Sequence, residues 1–270
     1  MQVLRNVLNL KSTRCFGLMK KAVTKACFLG FLVVFVTTMS FAKSEVRLRY
    51  KVHEPSLTYQ STHREKITRV FVDESVEKIS YTIVKKIEET TESVDDRIER
   101  SFLQLAGTLK YMGIAKVQAT SYPSSTERID SLGNELSFDG VSEPPAADRI
   151  RLVFPERRLA KGDKWLYVAS PTDVFPGELE TVYVVKAFRD YGDIPCVVLK
   201  SRTVYNKTHE SNGVTLSIRS HGVIYFDYNK GVILNSVSST TVKTSYLNES
   251  AKDGLKHLTQ VTDAKYRLLK

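Results

Sequence analysis

Few residues of this sequence have the types and the spacing that catalysis or metal binding requires. Cys196 is the one cysteine after residue 42, so it can form neither an internal disulfide nor a Cys-x-x-Cys metal or redox site. It lies in the apolar run "IPCVVLKS", which favours a small buried side chain over a nucleophile. The five histidines are not at metal-ligand spacing, and serine-hydrolase, zinc-protease, phosphate-loop and dinucleotide motifs are missing. We therefore expect no metal, no cofactor and no enzymatic activity.

The single tryptophan, Trp165, is the most distinctive candidate for a binding site. Gly162-Asp163 predicts a tight turn that begins the strand "KWLYVAS", so Trp165 and Tyr167 should share one face of that strand. We favour Trp165 as a large aromatic that anchors a β core, and the alternative is that it lines an apolar groove. If such a groove exists, we expect one alternation set of several strands to line it: Trp165, Tyr167, Val182, Val184, Leu216 and Ile218. The same residues would equally line a closed core.

Most of the chain after residue 42 has the pattern of β-strands. Runs rich in Val, Ile, Thr, Tyr and Phe are separated by turn signals, and "GVTLSIRS" alternates apolar and polar residues. "DSLGNEL" and "DYNKGVIL" predict hairpins, because Gly133 and Gly231 can supply the positive φ of a tight turn. The predicted fold class is mainly β: a curved antiparallel sheet or half-open barrel, with at most one short helix. A degenerate duplication is compatible with this pattern.

One segment indicates a helix instead. Ile98, Phe102, Leu105, Leu109 and Met112 recur at steps of four and three, which would place them on one helical face. Gly107 predicts that this helix is short, and a strand that begins at Thr108 is the competing assignment.

The N-terminus has the features of an export signal. Lys20, Lys21 and Lys25 precede the apolar run "ACFLGFLVVFV", which has the length of a signal peptide rather than of a bilayer-spanning helix. Ser40 and Ala42 predict cleavage before Lys43, which would make residues 1–42 a signal peptide and the mature protein periplasmic or extracellular. An uncleaved N-terminal anchor is the alternative. Met19 begins a compact signal of its own, so a misassigned start codon is a further alternative that would account for residues 1–18.

Charge argues against nucleic acid as a partner. The chain has a formal charge of +10, but residues 1–42 hold six bases and no acid. The remaining 34 bases and 30 acids leave the mature chain at about +4, where a nucleic-acid-binding protein would have a clustered basic face. We expect membrane contact only through the signal segment, before cleavage.

Pro144-Pro145 divides the mature chain into an N-terminal β half, 43–143, and a C-terminal β half, 144–270. We expect the two halves to form one continuous β domain, because each alone would leave an apolar face and sheet edges exposed. The polar run "NSVSSTTVKTS", Asn235 to Ser245, is the expected exposed edge for pairing with a partner.

Several short motifs resemble those of known proteins. Pro155-Glu156, Gly162-Asp163-x-Trp165, Tyr183 with Val185, and "GVIYFDYNKGVILNS" resemble the second half of bacterial exported β-sheet proteins of domain-of-unknown-function families. "VRLRYKV" is similar to their first mature strand, so the resemblance covers most of residues 45–247. More distantly, it extends to periplasmic lipoprotein carriers, whose curved sheet holds acyl chains against a helical lid. The Ile98 to Met112 segment would correspond to that lid.

Three functional hypotheses follow. The first is a non-enzymatic envelope protein that binds an apolar or amphipathic ligand, of lipid or lipoprotein type, or another envelope component, on its concave face. The second is a structural or interaction β module that has no small-molecule ligand and pairs through a sheet edge. The third is a hydrolase with an unrecognised site.

Overall fold

The computed structural model describes residues 45–111, 114–118, 125–139, 152–170, 177–209, 213–246 and 254–269. The predicted signal peptide, residues 1–42, and the Pro144-Pro145 boundary lie outside these ranges. The described residues form twelve strands: β1 Leu57–Phe71, β2 Val76–Val94, β3 Arg97–Tyr111, β4 Ile114–Gln118, β5 Ser125–Ile129, β6 Glu135–Asp139, β7 Lys164–Ala169, β8 Leu179–Tyr191, β9 Ile194–His209, β10 Val214–Asp227, β11 Val232–Tyr246 and β12 Leu255–Leu269.

All twelve strands belong to one antiparallel sheet. Its order is β6-β5-β3-β2-β1-β12-β11-β10-β9-β8-β7, and β4 pairs with the end of β3 that β5 leaves free. No pairing among the described residues joins β6 to β7, so the sheet is open. Register shifts interrupt five of the strand pairs, and such bulges bend strands and increase their twist. The predicted curved antiparallel sheet is confirmed. Within the described residues, no helix is long and apolar enough to span a membrane.

The predicted helix over Ile98 to Met112 is wrong for its described residues, which lie in β3 between β2 and β5. The apolar spacing that suggests a helix arises from a β-bulge. Ile87 pairs with Gln104 and Lys86 with Ala106, so Leu105 is an extra residue opposite β2. The bulge returns Leu109 to the face of Ile98 and Phe102, although an odd number of residues separates them. Because these residues form a strand, they cannot form the expected helical lid.

The predicted exposed edge at Asn235 to Ser245 is also wrong. These residues lie in β11, which pairs with β10 on one side and β12 on the other. The strands with one neighbour are β6 and β7, at the two ends of the sheet order, and β4, which pairs with β3 alone. Polar residues do not indicate an edge here, because some of them contact polar groups of both neighbouring strands: Thr240 contacts Ser220 on β10, and Ser245 contacts His257 on β12.

The main core lies on one side of the sheet, which we call the inner face. Inner-face side chains of β8, β9 and β10 pack against two segments that cross them, residues 46–50 and 152–160. Phe226 lies 5.5 Å from the Tyr50 ring and 4.7 Å from the Phe154 ring. The two segments are joined by the bridge between Val46 and Leu159.

Both predicted glycine hairpins are confirmed, and each also holds the N-terminal segment in place. Gly133 and Gly231 have φ angles of 94° and 73°. A Cβ at Gly231 would lie 2.6 Å from the backbone nitrogen of Lys51, and one at Gly133 would lie 2.6 Å from the ring of Tyr50. Glycine is therefore required twice over at both turns, for conformation and for close approach.

Candidate functional site

Trp165 contacts the packed core. The Gly162-Asp163 turn precedes β7 as predicted, and Trp165 and Tyr167 share the inner face. The Trp165 ring stacks on Tyr183 at 5.1 Å, and its Nε1 donates a hydrogen bond of 2.7 Å to the Val153 carbonyl oxygen. Tyr183 is fully buried. Trp165 is itself half-buried and packs against the main core, which agrees with the favoured interpretation of an aromatic that anchors the core.

The register brings together four of the six predicted groove residues on one face and separates the other two. Leu216 and Ile218 lie on the inner face with Trp165 and Tyr167, in a second apolar cluster with Leu179 and Tyr205. Val182 and Val184 are on the outer face, because Tyr183, and not its neighbours, pairs with Trp165. Their inclusion in one alternation set is wrong, since alternation within a strand does not specify which positions of two strands lie opposite.

A row of hydroxyl side chains separates the two apolar clusters. The hydroxyl oxygens of Thr181 and Thr203 lie 2.8 Å apart, as do those of Ser220 and Thr240. These side chains are buried, and mutual hydrogen bonding offsets the cost of removing them from water. The members of the row lie directly opposite one another on successive strands. They are the hydroxyl side chains of Thr181, Thr203, Ser220, Thr240, Thr262 and Tyr81, with the carboxylate of Glu65 between the last two.

Beyond this row, the inner face of β11, β12, β1 and β2 carries apolar side chains that are only half-buried. We call this surface the inner-face strip, and its apolar members are Val242, Leu258, Ile67 and Ile79. Val242 also packs against the second apolar cluster, so the strip continues that cluster across the sheet. The covering segments 46–50 and 152–160 pack instead against the main core.

Fixed polar groups accompany the strip. Gln260 donates a hydrogen bond to the carboxylate of Glu65. Burial raises the pKa of Tyr81, and a hydrogen bond to the same carboxylate raises it further, so the phenol stays protonated. The strip thus combines several apolar side chains with one carboxylate, one amide and one phenol, a composition typical of small-ligand sites.

A buried charge cluster lies on the same face, between β2, β3 and β5. Arg100 donates hydrogen bonds of 2.8 Å to both Glu89 and Glu127. His53 Nε2 lies 3.7 Å from Glu89 Oε1, and the guanidinium lies over the rings of Tyr50 and Phe102. Burial by itself raises the pKa of Glu89, but Arg100 and His53 together outweigh burial and hold that pKa below its usual value. Both carboxylates raise the pKa of Arg100 against the effect of burial.

The charge cluster has the geometry of a structural group. The pocket beside it has a volume of about 10 Å³, close to what a single water molecule occupies. A substrate therefore has no room there, and among the described residues no group of three His, Cys, Asp or Glu side chains could hold a metal ion. This cluster could not be recognised from the sequence pattern, because Arg100 lies in the segment with apparent helical periodicity. With β3 assigned as a strand, Glu89 and Arg100 both fall on apolar alternation sets.

Cys196 is fully buried, and burial raises the pKa of its thiol. Its environment is that of an inert core cysteine rather than of a nucleophile. This agrees with the interpretation from its apolar sequence context.

Comparisons with known proteins give matches of structure only. No protein-family model matches the chain, and no characterised protein matches its sequence. A protein described as exported, with a YmcC-like fold, from Bacteroides fragilis NCTC 9343 is 13% identical, with a TM-score of 0.30, over 83% of this chain and 100% of that chain.

Two further solved structures are more distant. A DUF1329 family protein from Desulfovibrio piger ATCC 29098 is 12% identical, with a TM-score of 0.17, over 79% of this chain and 86% of that one. An outer membrane lipoprotein-sorting protein domain from Vibrio parahaemolyticus is 9% identical, with a TM-score of 0.17, over 78% and 86%. These are the classes of protein that the sequence motifs resemble, and the predicted resemblance is confirmed to that extent. At these TM-scores the likeness supports no inference about binding.

Proposed function

We propose that the protein is an exported, non-enzymatic envelope protein that binds an amphipathic ligand on the inner-face strip. The observation that carries this proposal is the continuation of the apolar inner face past the packed core, onto β11, β12, β1 and β2, where side chains become half-buried. The ligand is of lipid type, with an apolar chain along Val242, Ile67 and Ile79 and a polar group near Glu65.

The strip fits such a ligand better than the surroundings of Trp165. Around Trp165 the space is taken by Tyr183, Phe154 and the Val153 carbonyl. On the strip, each half-buried isoleucine can still lose water contact when a ligand arrives, and fully burying such a side chain contributes about 1.5–3 kcal/mol. The Glu65, Gln260 and Tyr81 side chains supply the few placed polar groups that orient a ligand.

Probe uptake tests the proposal. A chain that begins at Lys43 should increase the fluorescence of N-phenylnaphthylamine, and a fatty acid or phospholipid should displace the probe. Ile67→Ser should weaken probe binding about tenfold, because it removes an apolar contact of about 1.5 kcal/mol.

The matched control is Val84→Ser. Val84 is also half-buried and lies on the adjacent strand β2, but on the outer face, so its replacement should leave probe affinity unchanged. If the unsubstituted protein takes up no probe, the ligand-binding function is to be abandoned.

Export is the second testable part of the proposal. The basic n-region, the short apolar run and the Ser40-x-Ala42 site lead us to expect a protein that begins at Lys43 and is soluble without detergent when recovered from its native envelope. N-terminal sequencing or intact-mass measurement checks this. An intact N-terminus in the membrane fraction would instead establish the uncleaved anchor.

The interaction module remains a second candidate because of β7. This strand ends the sheet order, and Leu166 and Val168 on it are 53% and 40% exposed. An edge strand with exposed apolar side chains is suited to strand addition by a partner. Site-specific cross-linking from Leu166 in the native envelope tests this alternative.

A further inference from the structure

The outer face of the sheet has an area of mostly basic side chains, and the outer-face acids Glu88, Glu92 and Glu99 lie beyond that area. On the outer face, residues opposite one another on successive strands form rows across the sheet from β7 to β3. Five successive rows, which pass through Arg267, Lys265, Asp263, Val261 and Thr259 of β12, form this area, and every charged side chain in them is exposed. The rows hold two acidic side chains, Glu180 and Asp263. They hold twelve basic ones: Lys164, Lys200, Lys265, Arg202, Arg64, Lys110, Arg219, Lys66, Arg267, Lys86, Lys243 and Lys78.

The net charge of the mature chain, about +4, does not indicate this basic face. Many acidic residues lie in the turns, as Asp73, Asp95 and Asp130 do, and others point to the inner face, as Glu65 and Glu89 do. Within the described ranges none of the twelve basic side chains forms an ion pair. The positive charge of the outer face is therefore not neutralised within the sheet.

The basic side chains form a two-dimensional array. Neighbouring strands are about 4.8 Å apart and alternate residues of a strand about 6.7 Å apart, so nine strands and five rows cover about 38 Å by about 27 Å along the sheet. A linear polyanion would be matched by a stripe or groove of charge. An array of this kind matches an extended surface of anions.

Aliphatic side chains lie within the same array. Leu166, Val168, Val182, Val204 and Val237 are all on the outer face, between 40% and 53% exposed. The five rows present no exposed aromatic ring on which nucleobases could stack. Exposed aliphatic groups among lysines and arginines are instead suited to the boundary between headgroups and acyl chains of a bilayer.

From these features we infer that the outer face docks on the surface of an anionic lipid bilayer. Lys and Arg side chains bind the lipid phosphates, and Leu166 and its aliphatic neighbours enter the headgroup boundary. This inference does not depend on ligand binding at the inner-face strip. It differs from the expectation that membrane contact ends when the signal segment is removed.

Vesicle flotation tests the inference. The protein beginning at Lys43 is suitable, since residues 45–270 form a compact unit with its own core. It should float with vesicles of phosphatidylcholine containing phosphatidylglycerol, but not with pure phosphatidylcholine, and high salt should release it. The variant Lys200→Gln/Arg202→Gln/Arg219→Gln/Lys265→Gln should bind about a thousandfold more weakly, at about 1 kcal/mol per basic side chain near an anionic surface.

The control has the same net charge but keeps the outer face. It carries Arg158→Gln, Lys161→Gln, Lys207→Gln and Lys230→Gln, four exposed positions outside the five rows, and it should bind like the unsubstituted protein. If the outer-face variant fails to fold, the pairs Lys200→Gln/Arg202→Gln and Arg219→Gln/Lys265→Gln should each weaken binding about thirtyfold.

Three results would overturn the inference. One is equal binding to neutral and anionic vesicles, and another is equal loss of binding in the control variant. The third is binding of soluble dextran sulfate or nucleic acid without binding of anionic vesicles, which would identify a linear polyanion as the partner.

Discussion

Replacement of Arg100 by methionine should lower the free energy of unfolding by about 3–5 kcal/mol, as measured by urea denaturation at pH 7. Arg100 hydrogen-bonds to the buried carboxylate of Glu89 and to Glu127. Without the guanidinium, two carboxylates would stay in a site with little access to water and no opposing charge, apart from His53 at 3.7 Å. Removing one partner of a buried ion pair has this cost because the remaining charge is left uncompensated.

The exposed pair on the same strands provides the control. Arg128 on β5 contacts Glu99 on β3 at 2.6 Å, but its side chain is exposed, so Arg128→Met should change stability little. An equal loss of stability in both variants would show that burial of the charge cluster is not what matters.

The loss of stability caused by Arg100→Met should depend on pH in a defined direction. The folded-state pKa of Glu89 is held below its unfolded value, so its contribution to stability is complete above about pH 4.3 and is lost as pH falls through the folded value. Arg100→Met removes the largest cause of that lowering and leaves His53 alone to oppose the effect of burial, which raises the pKa. The difference in unfolding free energy between the two proteins should therefore shrink below about pH 4. A difference that stays constant down to pH 3 would contradict the role given to Glu89.

Local sequence signals predicted the strands and turns well, because those depend on neighbours in the chain. Gly133, Gly162 and Gly231 each occupy the predicted turn with positive φ. The failure at Ile98 to Met112 has a non-local cause, since the bulge at Leu105 exists only through pairing with β2. An odd spacing of apolar residues in a bulged strand imitates a helical period.

Features that depend on register could not be predicted from the sequence. Alternation correctly joined Trp165 to Tyr167, but only pairing with β8 shows that Val182 and Val184 face the other way. The charge cluster and the basic outer face also depend on strand register. Each brings together charges that lie far apart in the chain, such as Arg64 and Arg202, and a net charge cannot reveal how they are arranged.

Trp165→Ala should lower the free energy of unfolding by about 3–5 kcal/mol, as truncation of large core aromatics does. The substitution removes the stack on Tyr183 and the hydrogen bond that Nε1 donates to the Val153 carbonyl. It would loosen the contact between β7 and the covering segment 152–160. Urea denaturation and thermal melting measure the effect. Leu166→Ala on the outer face of the same strand, where the side chain is 53% exposed, should cost no more than about 0.5 kcal/mol.

Probe binding separates the two interpretations of Trp165. If it is a core residue and the ligand occupies the inner-face strip, Trp165→Ala should bind N-phenylnaphthylamine with unchanged affinity at temperatures where the variant is folded. The strip lies on β11, β12, β1 and β2, whereas Trp165 contacts Tyr183 on β8 and residues 153 and 154. Loss of probe binding with an unchanged unfolding free energy would instead place Trp165 in the wall of a ligand groove, and the binding site would move to the β7 end of the inner face.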